Sequence, residues 1–260
     1  MGTLFQWEYV IKYFPKLVVA LPTTLVLVIG ATIIGTIVGF LLAFVRIERI
    51  PVLRQISTIL TSFLRDTPVL IQLFLVYYAL PILLWQVFGI NVNSWNRLIF
   101  VIIAFGLNTA GLFSEIFRGA VLSVPNSQRD AARSIGMTKR QMYQRIILPQ
   151  TIRVILPPYG TVLVGLLQDT AVAFTLGIID IMGKVKSLGA LYYHTLEGYF
   201  DAALIFIVLS ILIEQLFAFL DARLAYMYNP LDTSNIVEKQ SLKKRYHTYY
   251  KKIGNQRKRV

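Results

Sequence analysis

The sequence contains no cysteine and only two histidines, His194 and His247. The first absence excludes disulfides, thiolate metal sites and cysteine nucleophiles. The histidines lie far apart and lack carboxylates at ligand spacing, which argues against a zinc site or a His-dependent hydrolase. Acids are scarce too, 13 against 26 Lys and Arg. The stretch GIIDIMGKV, Gly177 to Val185, comes nearest to a phosphate loop. Five residues rather than four separate its glycines, and Val185 stands where Ser or Thr must bind magnesium, so the chain shows no nucleotide site of its own.

In place of these features the chain has long runs without charge. Leu17 to Val45 and Thr67 to Asn96 each exceed the roughly 20 apolar residues a helix needs to cross a bilayer. Leu98 to Ser114 is a third run. Val154 to Ile179 and Ala202 to Leu220 are a fourth and fifth, each broken by one acid, Asp169 and Glu214. The reading is an all-α integral membrane protein of five spans.

The excess of positive charge then concerns orientation. Four Lys and Arg fall between Arg46 and Arg65, seven between Arg118 and Arg153 and ten from Arg223 onward, while five are scattered over the other stretches. Basic and poor segments alternate as the positive-inside rule requires. This places the N-terminus outside and the C-terminus in the cytoplasm. The domains expected are an external segment 1–16, a membrane domain 17–225 and a basic cytoplasmic tail 226–260. Before the first run stand Glu8 and Lys12 rather than a basic start and a small-residue cleavage site, so a removable signal peptide is not expected. The tail interleaves Lys and Arg with Tyr, a pattern open to three readings: a solvated tail, anionic lipid or RNA.

Several local expectations follow. Gly35 and Gly39 form a GxxxG that allows close helix packing. Thr67 and Pro68 suit a helix start, Pro81 ends or kinks its span, and Gly89 to Asn96 is an outer loop. The double proline of LPPYG rules out a regular helix there. The segment from Gly177 to Phe200 is an outer connection. Ionisable groups at membrane depth mark function by default. For Asp169, next to Gln168, a solute path and a structural hydrogen bond both remain open. Glu115 pairs with Arg118, three residues on, and Glu214 is structural or interfacial.

Between the third and fourth runs lies a polar insert, about 126–150. Ser127 with Asp130, and Thr138 with Gln141, fit capping boxes. Gly136 stands where a left-handed C-cap is wanted, and Pro149 closes the second unit. Two short helices with a tight turn result, Ala131 and Ala132 slimming the first, Met142 and Ile146 giving the second an apolar stripe. Connectors are ordinarily around 4–6 residues and need no such caps, so the insert reads as a dock for a soluble partner.

These residues resemble the EAA loop of ABC-importer permeases: Asp130-Ala131-Ala132, then Gly136, then Ile146, Leu148 and Pro149, in register. FLRDTPVLIQLF, SEIFRGAV and LLQDTAV are similar to the polar amino acid branch, over residues 15 to 225. The resemblance implies a type I importer permease in a prokaryotic plasma membrane, paired with a second copy or paralogue in lipid. Its EAA residues dock on ATP-binding cassette subunits that hold ATP and magnesium, this chain carrying no cofactor. An extracytoplasmic binding protein delivers the solute, and Gln72, Glu115, Gln168 and Asp169 line its path. Nucleic acid is not an expected partner. Asp130 replaces the motif's Glu, Asp66 and Ser127 usual glycines, Gln168 a usual Lys, and Ala171 a usual Ser. An ion-coupled transporter or channel, using the membrane acids, is the alternative.

Overall fold

The computed structural model describes residues 5–92 and 94–227, and these form helices and short connections without a strand among them. The basic tail beyond Met227 and Asn93 of the outer loop lie outside the described residues. A compact unit ends at Asp221.

Among the described residues five helical spans are long and apolar enough to cross a bilayer: Leu21–Ile47, Val69–Phe88, Arg97–Leu122, Lys139–Leu176 and Thr195–Leu224. They comprise helix α2 (Leu21–Ile47), α4 (Val69–Phe88), α5 (Arg97–Leu122), the α7-to-α8 assembly described below, and α10 (Thr195–Met227). The most extensive pairing is α2 on α5. Its closeness follows from glycine. A Cβ on Gly35 would collide with the Thr109 hydroxyl, and one on Gly39 would lie 2.9 Å from both the Ala110 carbonyl oxygen and the Phe113 Cβ. The GxxxG thus serves the close approach its spacing predicts.

Two further helices are absent from the sequence reading. Helix α1 (Trp7–Val18) covers most of the expected external segment, burying Val10, Tyr13 and Leu17. Tyr13 and Leu17 pack with Ile181, Val185 and Ala202. Helix α3 (Leu53–Asp66) occupies most of the stretch between the first two apolar runs, where no helix is expected. It is too short to span, yet it runs beside α2 and α5, its Ser57 hydroxyl donating to the Leu42 carbonyl (2.9 Å). The fourth span ends in a 3₁₀ segment (Thr170–Leu176), and the outer connection beyond it is also folded, as helix α9 (Ile181–Tyr192), which Asp180 caps through the Gly183 N–H (2.8 Å).

Pro81 does not end its span: it lies inside α4, which runs on to a left-handed Gly89 cap. Two other proline expectations are corrected. Pro157 and Pro158 lie inside α8 (Leu148–Asp169). Pro149 does not end the insert's second helix. The chain passes from α7 (Lys139–Met142) through a π turn (Tyr143–Ile147) into α8 without leaving helical backbone. In an α-helix the Pro149 ring would clash with the Arg145 carbonyl, which also lacks a donor there, and a widened turn at that point makes room.

The ends of the bundle sort by charge. Lys139, on the insert, reaches Glu48 at the tip of α2, so the two basic connectors share one end. At the other, the Gln6 N–H donates to Glu197 (2.9 Å) and Tyr9 stacks on His194 (3.7 Å between centroids), uniting charge-poor segments.

Candidate functional site

The insert folds as a small object of its own. Helix α6 (Asn126–Ser134) begins after Pro125 without a side-chain cap, which corrects the expected Ser127–Asp130 box; Asp130 is exposed and pairs loosely with Arg133 (3.6 Å). The other end matches expectation. Gly136 has φ +76°, the Met137 N–H reaches the Ala132 carbonyl (3.0 Å), and the Gly136 N–H reaches that of Arg133 (3.0 Å). This is the doubly bonded left-handed stop. Thr138 and Gln141 then form their box, with bonds of 3.3 and 2.9 Å.

A miniature core of Val124, Ala132, Met142 and Ile147 holds the two helices together, with Ile146 packed against it. Ala132 is buried in this core. Asp130, Ala131, Gly136 and Leu148 face outward, and Pro149 is half-buried. The insert is tied down by Gln150, whose amide donates to Gln128 (2.7 Å), and by Arg129, which donates to the Val121 carbonyl (2.7 Å).

Glu48 is a contact that nothing in its sequence neighbourhood singles out. It accepts from Lys139 and, at 3.5 Å, from the Tyr143 hydroxyl. A hollow of about 400 Å³ lined by Phe44, Ile47, Tyr143 and Leu148 separates α2 from the π turn, so these polar bonds bridge a gap that packing leaves open.

The candidate path residues fall at three heights. Gln72 is buried where α3 gives way to α4, its amide donating to the Leu64 carbonyl (2.7 Å) and the Thr67 hydroxyl (2.5 Å), while its Oε1 has no partner. Asn108 also donates to that carbonyl (3.4 Å). A Cβ on Gly111 would meet Leu64 Cβ at 3.0 Å and the Arg65 nitrogen at 3.2 Å. Gly111 is the fifteenth residue of α5, about 21 Å and about 16 Å from its ends, so the break lies near mid-bilayer. Glu115, one turn nearer the basic end, accepts from Arg46 (2.6 Å) and Arg118 (2.8 Å), locking α2 to α5.

Gln168 and Asp169 lie higher. The Tyr159 hydroxyl bonds to Thr36 near the middle of α2 (2.7 Å), and Asp169 is ten residues beyond, about 15 Å toward the charge-poor end. Gln168 is exposed, and Asp169 is half-exposed with no ion pair or hydrogen bond among the described residues.

The break also presents a pair outside the expected set. Arg65 and Asp66 contact each other at 3.1 Å and are 45% and 59% exposed at a depth where an ionised residue facing lipid costs roughly 2.5–3.5 kcal/mol. The signal that would have found them is in α3, whose residues sort into three stripes at helical spacing.

The chain matches known proteins along most of its length. The family described as "Binding-protein-dependent transport system inner membrane component" matches residues 35–226. The chain is 43% identical to the "Probable amino-acid permease protein YxeN" of Bacillus subtilis, over 82% of this chain and 92% of that one. It is 31% identical to the "L-cystine transport system permease protein TcyL" of the same organism, over 86% and 93%. A crystal structure of "an amino acid ABC transporter with histidines" superposes with a TM-score of 0.74 at 27% identity, covering 84% of this chain and 99% of that one. With five spans, a matching fold and a family profile over most of its length, the chain belongs to the binding-protein-dependent transport system inner membrane components.

Proposed function

We propose that this chain is the permease subunit of an ATP-driven importer of polar amino acids in a prokaryotic plasma membrane. It works as a pair, with a second copy or a paralogue. Solute arrives from an extracytoplasmic binding protein, and ATP and magnesium are held by separate ATPase subunits. The observation that carries the reading is the insert: a stiff, capped helix pair that presents Asp130, Ala131 and Gly136 outward and continues as backbone helix into the fourth span. An ATPase groove that grips α6 and α7 moves α8 directly, through the segment containing Ile146, Leu148 and Pro149. Ala132 works from inside, in the miniature core.

Gln168 and Asp169 flank the path near its outer end and Gln72 at mid-depth. Glu115 stands below them, held by its two arginines. Solute passes these side chains as the ATPases close and reopen.

The test is uptake of labelled glutamine and cystine by proteoliposomes holding this chain with an ATP-binding cassette ATPase and a solute-binding protein from the same organism. Uptake should require internal ATP. Gly136→Val adds no clash, since nothing lies within 4 Å, but strains a φ of +76° by about 1–2 kcal/mol. It should cost both ATPase copurification and uptake. Uptake that runs on a proton or sodium gradient without the ATPase would overturn the proposal and establish the ion-coupled reading.

A further inference from the structure

The three stripes of α3 differ in what they face. Ser57, Thr61 and Leu64 are buried against α2 and α5. Leu53, Ile56, Leu60 and Phe63 form an exposed apolar stripe of the kind lipid or another membrane helix covers. Gln55, Thr58, Ser62, Arg65 and Asp66 are exposed as well, and they follow one another at 3, 4, 3 and 1 residues. At 100° per residue they fall in one sector on the third side of the helix. The polar stripe begins near the basic end, where Ser57 bonds to Leu42, and climbs to the break near mid-bilayer.

Exposed polar and charged side chains at this depth belong on a water-lined surface, because lipid would leave them unsolvated. We infer that this stripe is the inner half of the solute path and that Arg65 and Asp66 at its head form a receiving site for the zwitterionic backbone of a free amino acid. The guanidinium takes the α-carboxylate in its two-pronged geometry, and the Asp66 carboxylate takes the α-ammonium. With solute absent the two side chains satisfy each other, at 3.1 Å. With solute bound, two opposite pairs replace one, and the assembly stays neutral. Recognition rests on the part common to all amino acids, so this site sets the class of solute and leaves the choice among side chains elsewhere. It also supplies a cation to the path that Gln168 does not. The inference rests on the importer reading for the identity of the solute, not for the wetness of the stripe.

The lack of any cysteine allows a direct test. Ser62→Cys, Thr58→Cys and Phe63→Cys are each expressed with the ATPase and binding protein and treated in membranes with a charged, water-soluble methanethiosulfonate. The first two should react at least tenfold faster than the third. A millimolar mixture of free L-amino acids lacking cysteine and cystine, which would react with the thiol or the reagent, should slow Ser62→Cys several-fold; the same mixture as methyl esters or N-acetyl derivatives should not. Adding Arg65→Gln or Asp66→Asn should remove that protection while leaving Ser62→Cys reactive. Equal, slow reaction of Ser62→Cys and Phe63→Cys overturns the inference, and so does protection that blocked amino acids share. ATP-driven uptake without protection removes this site and leaves the importer reading standing. Protection combined with uptake driven by an ion gradient does the reverse.

Discussion

Asp180 shows how one side chain serves a helix at an electrostatic cost. Its Oδ1 caps α9, but its Oδ2 is buried without a partner, and burial pushes the carboxyl above the usual carboxylate range despite the Gly183 N–H bond. A raised acid stabilises the fold fully below its unfolded pKa and loses that contribution as pH climbs through the folded value. The native protein in detergent should therefore lose melting temperature from the ordinary carboxylate range upward. Asp180→Asn keeps an acceptor for the cap and should flatten that dependence, whereas Asp180→Ala should flatten it too but cost about 1 kcal/mol at low pH, a cost that shrinks as pH climbs. Asp169 invites a different substitution. Because nothing described pairs with it, Asp169→Asn should leave the assembled complex in the membrane at native level while changing the rate of uptake.

The helix pairs show where the sequence is a sufficient guide and where it is not. Five spans were legible because length and hydropathy alone define a membrane crossing, and the Gly136 stop and Thr138 box because their chemistry is local. Helix α1 was missed because its Val10, Tyr13 and Leu17 stripe is short and interrupted by charge, and α3 because a helix that meets core, lipid and water on three sides shows no simple apolar period. The prolines misled for a related reason. A ring that breaks an isolated helix is tolerated when neighbouring helices hold both flanks, as Phe113 holds Tyr159 (4.3 Å, stacked) just after Pro157 and Pro158. Of the candidate path residues, Glu115 and its Arg118 partner were legible from spacing of three; its second partner Arg46, 69 residues away, was not. The α2–α5 contact yields its own prediction. Gly39→Val forces a side chain against the Ala110 carbonyl, which cannot move aside, and should destabilise by about 1–3 kcal/mol, measurable as a fall in melting temperature and in membrane abundance.

For the molecule as a whole, charge sets the orientation, and the chain's lack of cysteine makes it measurable. Tyr193→Cys, at a position 91% exposed, should react with an impermeant maleimide in intact cells; Ile135→Cys, at 72%, should react only after permeabilisation. The reverse pattern would invert the whole assignment. Removal of the residues after Asp232 should leave uptake largely unchanged, as a solvated tail implies, and a loss of transport would give that basic segment a direct role.

The π turn at Tyr143–Ile147 carries one more consequence. A π turn holds one residue more than an α turn, so the phase of every side chain beyond it is shifted by about 100° relative to the helix before it. The face by which the insert meets its partner and the face by which α8 meets α5 are therefore set independently on a single unbroken rod. Deleting one residue from the turn would remove that offset and rotate Tyr159 away from Phe113 if the dock kept its place. The turn is the phase adjuster that lets one helix serve two interfaces that do not share a register.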